Sequence, residues 1–297
     1  MSGPKSGVSV ICFGEVLWDL LPRGRFIGGA LLNVTYHLTR LGCAPILASA
    51  VGPDQLGTDT FETLKAAGVD TRGIQRHATL LTGIAEVKLD AAGQPTFHLP
   101  QPRAWDDIDV GLLLHGPSPA AVVFGTLALR SQTNRRALER LLSAFPETTV
   151  VCDLNLRPPF DDIAPLGAFI DRAHLLKLNA DEARRLCGRP AAADDWSAMA
   201  AELQQRYRGA LICITLGGEG AGICADGHWY QATAQKVTVR DTVGAGDAFT
   251  AALLAGWLRN REEPDWPRLL RAACALGAYV ASRDGAQPDY EDFKMEW

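Results

Sequence analysis

The residues best suited to chemistry lie in the segment DTVGAGDAF (241–249). Gly244, Ala245 and Gly246 stand directly before the apolar run 249–258, which has the composition of a buried helix. The first N–H groups of a helix lack intrahelical partners, and the helix dipole places positive charge there. We therefore predict that these three small residues present backbone donors to a phosphate group.

A carboxylate, Asp247, follows these residues in the first turn of the predicted helix. Its charge would repel a phosphate, so a carboxylate at this position is expected to take part in the reaction. The role that fits is that of a general base, which removes the proton from a hydroxyl that attacks phosphorus. The structural alternative is ordinary, because an aspartate in the first turn offsets the dipole and glycine is common before a helix. The other motifs of the chain are needed to distinguish a catalytic base from a structural aspartate.

A second group of polar and small residues lies near the N-terminus. Gly28 and Gly29 precede a predicted helix, Asn33 lies in its first turn, and Asp19 follows the first predicted strand. Asp and Asn offer paired polar groups whose spacing matches adjacent sugar hydroxyls. These residues are predicted to bind a sugar; the alternative is a helix cap and a solvated loop acid.

Two further segments place polar residues after strands. Arg157, in DLNLRPP (153–159), suits phosphate oxygens through its planar fork, or else pairs with an aspartate to fasten the loop. Asn179 and Glu182 form a capping box at the start of a helix. Glu182 is also predicted to hold Mg²⁺ through water, and the two roles are compatible.

A glycine-dense connection, TLGGEGAG (215–222), closes a strand. No Walker pattern occurs in the chain, and the glycine spacing differs from the dinucleotide fingerprint. A Rossmann dehydrogenase is therefore a poor explanation.

The elements that must position these residues alternate along the chain. Alternation of strand and helix predicts an α/β fold with a mostly parallel sheet covered on both faces, and ligands outside the carboxyl ends of the strands. The predicted strands are 8–13, 45–51, 120–124, 149–152, 174–178 and 210–216, and the predicted helices are 30–41, 59–67, 132–145, 181–187 and 196–207.

One region departs from this alternation. Residues 83–99 alternate on both sides of Ala91-Ala92-Gly93, which predicts a β-hairpin with one solvated face. Together with the strand-like stretch 15–26, it is expected to form a small sheet beside the main one. A lid over a cleft and an edge decoration are equally compatible with the pattern.

Composition bounds the remaining possibilities. The chain has 297 residues, 47% of them hydrophobic, and a formal net charge of −5, with no basic run to bind nucleic acid. No apolar run approaches the roughly 20 residues that span a bilayer, and the polar start (1–7) predicts no export signal. Seven cysteines without a C-x-x-C pair predict reduced thiols in a cytoplasmic protein. No zinc motif is present.

Taken in order, the motifs resemble the ribokinase-like (PfkB) carbohydrate kinases from about residue 8 to 288. The matching segments are GGALLNVTYHLTRLG (28–42), VGPDQLG (51–57), NADE (179–182), TLGGEGA (215–221) and DTVGAGDAFTAALLAG (241–256). Two others, GTLALRS (125–131) and DLNLRPPF (153–160), are most similar to the fructokinase branch.

The resemblance implies a role for each candidate residue. Asp247 would be the general base, with the anion hole at 244–246 stabilising the γ-phosphoryl group of ATP. Mg²⁺ would be held near Glu182. Some members bind a monovalent cation such as K⁺, and Asp241 and the carbonyl of Val243 match that position. Four residues would border the nucleotide: Asn179, Thr215, Gly217 and Gly220.

The resemblance also implies a single ribokinase-like domain over residues 1–297, with a β lid formed by about 15–27 and 83–104 that often pairs two copies in a dimer. The expected activity is ATP-dependent phosphorylation of a small sugar, with D-fructose first and ribose, 2-keto-3-deoxygluconate or a nucleoside as alternatives. Leu31 stands where many fructokinases have proline, and Leu32 replaces a smaller residue, which leaves sugar preference open. A catalytically silent sugar sensor and a purely structural subunit are the alternatives of other classes.

Overall fold

The structure, a computed structural model, describes residues 7–21, 24–89, 95–190 and 195–297, with the backbone alone for 87–89 and 95–97. Its strands are β1 Ser9–Phe13, β2 Leu17–Leu21, β3 Gly24–Gly28, β4 Ala44–Val51, β5 Ile74–Arg76, β6 Gly83–Leu89, β7 Pro95–His98, β8 Ala121–Gly125, β9 Thr149–Asp153, β10 Leu175–Asn179, β11 Leu211–Thr215, β12 Ala221–Ala225 and β13 His228–Ala232. Its α-helices are α1 Ala30–Arg40, α2 Gln55–Ala66, α3 Gln132–Ala144, α4 Gly167–Ile170, α5 Ala180–Leu186, α6 Trp196–Arg206, α7 Ala245–Arg259 and α8 Trp266–Ala281. Short 3-10 helices lie at Ala104–Asp106, Leu113–His115, Leu127–Arg130, Ala164–Leu166 and Gly217–Glu219.

Nine strands form the main sheet, in the order β13-β12-β11-β10-β9-β8-β1-β4-β5. The seven strands from β11 to β5 are parallel to one another, and the β12–β13 hairpin adds two antiparallel strands at one edge. The predicted mostly parallel α/β fold is confirmed, and each of the six predicted strands is present to within one or two residues.

The inner strands of the main sheet are mostly apolar because both faces of the sheet are covered. In β1, Val10 and Cys12 pack on one face with α1, α7 and α8, whereas Ile11 and Phe13 pack on the other with α3, α5 and α6. This double burial explains why the strands are continuous apolar runs rather than alternating ones.

The small sheet has the order β3-β2-β6-β7. Strand β2 pairs antiparallel with β3 and parallel with β6, and β6 pairs antiparallel with β7. The expected small sheet is therefore present and is mixed in direction. The predicted turn at Ala91-Ala92-Gly93 lies outside the described residues.

Helix α7, which carries Asp247, is buried along most of its length. Its residues from Ala248 to Trp257 are all buried, and it packs against both α1 and α8. It begins at Ala245 with Gly244 as N-cap, as the sequence predicted. In the part of the chain that the structure describes, no helix is long and apolar enough to cross a membrane. All seven cysteines are free thiols.

Candidate functional site

The first turn of α7 offers backbone donors at the carboxyl edge of the sheet. Gly244 has φ +78°, and a Cβ there would lie 2.5 Å from the Cβ of Ala286, so this position requires glycine. The N–H of Ala245 donates to the carbonyl of Thr242 at 3.3 Å. Among the described residues, the N–H groups of Gly244, Gly246 and Asp247 have no backbone acceptor. These three donors are available to an anion, whereas that of Ala245 is already paired.

The carboxylate of Asp247 stands beside those donors, half-buried. Its Oδ2 accepts a hydrogen bond from Nδ2 of Asn33 at 2.8 Å. Burial raises the pKa of Asp247 to about 7, and the charge of Asp153 adds to the rise, whereas the Asn33 hydrogen bond and the charge of Lys177 oppose it. A carboxyl group with a pKa near neutrality can accept a proton and release it again at physiological pH.

The sequence-predicted sugar residue Asn33 is held by the start of α1. Gly29 is the N-cap of this helix with φ +117°, and a Cβ there would collide with the carbonyl of Glu15. Oε1 of Glu15 accepts the N–H of Ala30 at 2.7 Å. Glu15 is buried, and burial raises its pKa. The sequence prediction missed this carboxylate, which accepts the first N–H of α1 and so holds the helix start on which Asn33 lies.

Asp19 lies within β2 of the small sheet, inside the stretch 15–26 that the sequence predicted as strand-like. A Cβ on Gly28 would lie 2.8 Å from Oδ2 of Asp19, so this glycine leaves the carboxylate its space. Burial raises the pKa of Asp19, and the charge of Arg157 opposes that rise.

Arg157 is exposed in the loop after β9. Its charge reaches Glu15 and Asp19 and opposes the rise that burial causes in the pKa of both. Within the described residues its guanidinium makes no hydrogen bond or ion pair, so the alternative in which it fastens its own loop to an aspartate has no support. Its predicted role toward phosphate stays a prediction.

Asp153, the aspartate of the same motif, pairs with a lysine instead. Lys177 donates to both carboxylate oxygens of Asp153, at 3.0 and 3.2 Å, and both side chains are buried. The hydroxyl of Thr250 lies 2.8 Å from Oδ2 of Asp153 and 3.0 Å from the carbonyl of Gly246. This network ties the end of β9 and the middle of β10 to the first two turns of α7. The sequence prediction missed it.

The Lys177 ammonium also lies close to the predicted anion site. A Cβ on Gly246 would be 3.4 Å from Nζ of Lys177. Burial lowers the pKa of Lys177, but the charges of Asp153 and Glu182 outweigh burial and raise it, so the side chain stays charged. The signal that could have revealed it is a lysine inside the otherwise apolar strand LLKLN.

Glu182 forms the predicted capping box with Asn179. The N–H of Glu182 donates to Oδ1 of Asn179 at 2.9 Å, and Oε2 of Glu182 accepts the N–H of Asn179 at 2.8 Å. Oε1 accepts the N–H of Leu156 at 2.7 Å. Burial raises the pKa of Glu182. Because both oxygens already accept a backbone donor, the donor set fits Mg²⁺ held through water better than direct coordination.

The residues predicted to border the nucleotide meet at the ends of β10 and β11. Asn179 and Thr215 are register partners as the last residues of these strands, and the Thr215 hydroxyl donates to the carbonyl of Leu178 at 3.2 Å. Gly217 opens the 3-10 turn that follows, and Gly220 ends it. The four residues therefore lie together at the carboxyl edge of the main sheet.

The candidate residues for a monovalent cation form a tight turn before α7. Oδ1 of Asp241 accepts the N–H of Val243 at 3.0 Å, and Val243 is 53% exposed. The N–H groups of Arg240 and Asp241 donate to the carbonyl of Ala281, which joins this turn to the end of α8. A carboxylate and an exposed backbone segment are oxygen-rich, as a hard cation requires.

Comparison with known proteins gives a consistent picture. A model described as pfkB family carbohydrate kinase matches residues 23–292. A fructokinase of Klebsiella pneumoniae is 31% identical over 298 residues, 92% of this chain and 93% of that protein. The structure of a fructokinase with bound ATP from Xylella fastidiosa has a TM-score of 0.80 at 27% identity, covering 95% and 94% of the two chains. A 2-dehydro-3-deoxygluconokinase of Thermotoga maritima shares the fold, with a TM-score of 0.82 at 21% identity over 94% and 95%.

Proposed function

The chain belongs to the pfkB family of carbohydrate kinases, and from that premise we propose that it transfers the γ-phosphoryl group of ATP to a hydroxyl of D-fructose. The observation that carries the mechanism is the position of Asp247. Its carboxylate has a pKa of about 7 and stands beside N–H groups of the same helix start that have no backbone acceptor in the part of the chain that the structure describes. A base and an anion site are thus adjacent at the start of one helix.

In the proposed reaction, Asp247 accepts the proton of the sugar hydroxyl as its oxygen attacks phosphorus. The amides of Gly244, Gly246 and Asp247 and the ammonium of Lys177 stabilise the negative charge on the transferring group. Bound Mg²⁺, held through water near Glu182, would neutralise charge on the nucleotide phosphates.

Asp19 and Asn33 bind the sugar in this proposal, with Gly28 and Gly29 leaving room beside them. Asn33 already touches the base at 2.8 Å, so a hydroxyl that contacts Asn33 lies next to the proton acceptor. The guanidinium of Arg157 is exposed and unpaired among the described residues, and it is proposed to meet phosphate oxygens.

Support for D-fructose as the acceptor comes from the relatives. The Klebsiella pneumoniae protein and a protein of Rhizobium leguminosarum bv. trifolii, 30% identical over 83% of this chain and 78% of its own length, are both named fructokinases. Identity near 30% carries the reaction class further than the choice of sugar, so the acceptor needs a direct test.

The test is a coupled ADP-release assay with ATP and Mg²⁺ across D-fructose, ribose, 2-keto-3-deoxygluconate and a nucleoside. We expect the highest kcat/KM with D-fructose and no release without Mg²⁺. A higher kcat/KM with another sugar would replace fructose and keep the kinase. Measurable sugar binding without turnover on any sugar would contradict the kinase and favour a sensor.

Five further properties belong to the same proposal. Residues 1–297 act as a single domain, in which the small sheet acts as a lid over the cleft. The lid pairs two copies in a homodimer, K⁺ binds at Asp241 and Val243, and the protein works in the cytoplasm, where its seven thiols stay reduced. Light scattering of the purified chain tests the dimer, and turnover in K⁺ against a bulky organic cation tests the K⁺ site.

A further inference from the structure

Three side chains form a hydrogen-bonded chain that ends on the proposed base. Nε2 of Gln287 donates to Oδ1 of Asn33 at 2.8 Å, and Nδ2 of Asn33 donates to Oδ2 of Asp247 at 2.8 Å. Asn33 is buried and Gln287 is half-buried. No sequence motif singled out Gln287, which lies in the segment after α8.

The direction of this chain follows from the charge at its end. An ionised carboxylate only accepts, so Asn33 must turn its NH₂ group toward Asp247. The Asn33 carbonyl oxygen then faces Gln287, which must donate. If Asp247 is protonated, the opposite direction becomes possible, because its O–H can donate to Oδ1 of Asn33. In the structure Gln287 presents its NH₂ group to Asn33, and this donation favours the orientation in which Asn33 donates to Asp247.

The backbone on both sides of Gln287 is held by contacts that do not involve its side chain. A ring nitrogen of His37 lies 3.0 Å from the carbonyl of Ala286, and the hydroxyl of Tyr36 donates to the carbonyl of Pro288 at 3.0 Å. The other His37 nitrogen lies 2.6 Å from the hydroxyl of Tyr290. Replacing the Gln287 side chain should therefore leave this segment in place.

We propose that Gln287 is a positioning residue that fixes the Asn33 amide with its NH₂ toward Asp247 and so presents the base in its ionised form. This inference rests on the proposed function, because it takes Asp247 as the base. Three other charged groups act on Asp247 and stay unchanged in the test: Asp153 and Glu15, which favour its protonated form, and Lys177, which favours the ionised one.

The test is the pH profile of kcat/KM for two variants. Gln287→Met is neutral, keeps the length of the side chain and cannot donate, so the hydrogen bond that stabilises ionised Asp247 weakens. We expect its acid limb to move to higher pH by about half a unit to one unit, the scale of one hydrogen bond. Gln287→Glu cannot donate when ionised and attracts the Asn33 NH₂ away from Asp247. We expect a larger shift in the same direction.

Two controls separate this role from a structural one. Gln205→Met makes the matched change at an exposed position on α6 and should leave the profile unchanged. Tyr290→Phe loosens the anchoring of the same segment, so its melting temperature should fall while the acid limb stays in place. If Gln287→Glu does not fold, Gln287→Met carries the test alone.

The inference is overturned if the acid limbs of both Gln287 variants coincide with that of the wild type. The proposed base fails separately: if Asp247→Asn keeps wild-type turnover, Asp247 is not the base. An inactive Asp247→Asn together with unmoved limbs in the Gln287 variants would reject the positioning role alone.

Discussion

Two aspartates at the carboxyl edge of the sheet differ in how their charge is balanced. Asp153 ends β9, is buried, and accepts hydrogen bonds from Lys177 on both oxygens, with Thr250 beside it. Asp247 opens α7 and accepts one amide hydrogen bond, from Asn33, while its pKa rises to about 7. The charge of Asp153 is thus balanced by a lysine, whereas Asp247 has no cation paired with it in the described residues and has a pKa near neutrality.

This difference separates a structural carboxylate from a reactive one. A base needs a pKa near the working pH, which incomplete compensation provides. A buried ion pair needs complete compensation, because an unpaired buried charge is costly. The two regions are also connected, since the charge of Asp153 helps to raise the pKa of Asp247 and the charge of Lys177 lowers it.

The largest expected effect is on the reactive side. Asp247→Asn keeps the shape of the side chain and removes the proton acceptor, so turnover should fall by about two to four orders of magnitude. Steady-state ADP release measures it. Asp171→Asn, at an exposed position near α4, is the matched control and should keep wild-type turnover. Near-normal turnover of Asp247→Asn would remove the distinction between the two aspartates.

On the structural side, Lys177→Met should lower the free energy of unfolding by about 3–5 kcal/mol, because it leaves Asp153 buried without its cation. Chemical denaturation measures this. The double variant Lys177→Met with Asp153→Leu removes both charges and should recover part of the loss. Lys65→Met on the exposed face of α2 is the matched control. A single variant as stable as the control would show that the pair is not structural.

A smaller effect concerns pH and stability. The folded-state pKa of Asp247, about 7, lies above its ordinary value of 3.8, so folding favours the protonated form. Its contribution to stability is full below about pH 4 and is lost as the pH rises through 7. A rise from 3.8 to about 7 would be worth about 4 kcal/mol in a fully buried group. Solvent screening at half-buried Asp247 reduces this, so Asp247→Asn should gain about 2 kcal/mol over the wild type between these pH values. Denaturation curves at both ends measure the gain, and a constant difference would contradict the raised pKa.

The smallest expected effect lies outside both aspartate sites. Asp19→Ala should weaken sugar binding about tenfold, the value of one or two hydrogen bonds, at fixed nucleotide. The affinity for nucleotide measured without sugar should not change. Equal losses in the two affinities would mean that Asp19 supports the fold of the cleft and does not contact the sugar.

The sequence predicted the part of the site that is local in the chain. The start of α7 at Gly244–Gly246 and the capping box of Asn179 follow from neighbouring residues, and the structure confirms both. Apolar runs likewise predicted six strands. The strand-like stretch 15–26 predicted a strand at Asp19 but not the pairing of β2 with β6, because that pairing joins residues far apart in the sequence.

The partners that hold the site together were missed for the same reason. Lys177 and Thr250 are 73 residues apart, and each contacts Asp153 only after the sheet and α7 have packed. Gln287 and Asn33 are separated by 254 positions. The one local signal was Lys177, a buried lysine in a mostly apolar strand. Such a lysine indicates that an acidic partner lies nearby, but not which residue it is.

The most direct measurement is the pH dependence of kcat/KM for the wild type with its best sugar, which reports the ionisation of the free enzyme. If Asp247 removes the proton from the sugar hydroxyl, kcat/KM should rise tenfold per pH unit on the acid side and level off above a pKa of about 7. A profile that is flat from about pH 5.5 to 8 would contradict a base with this pKa.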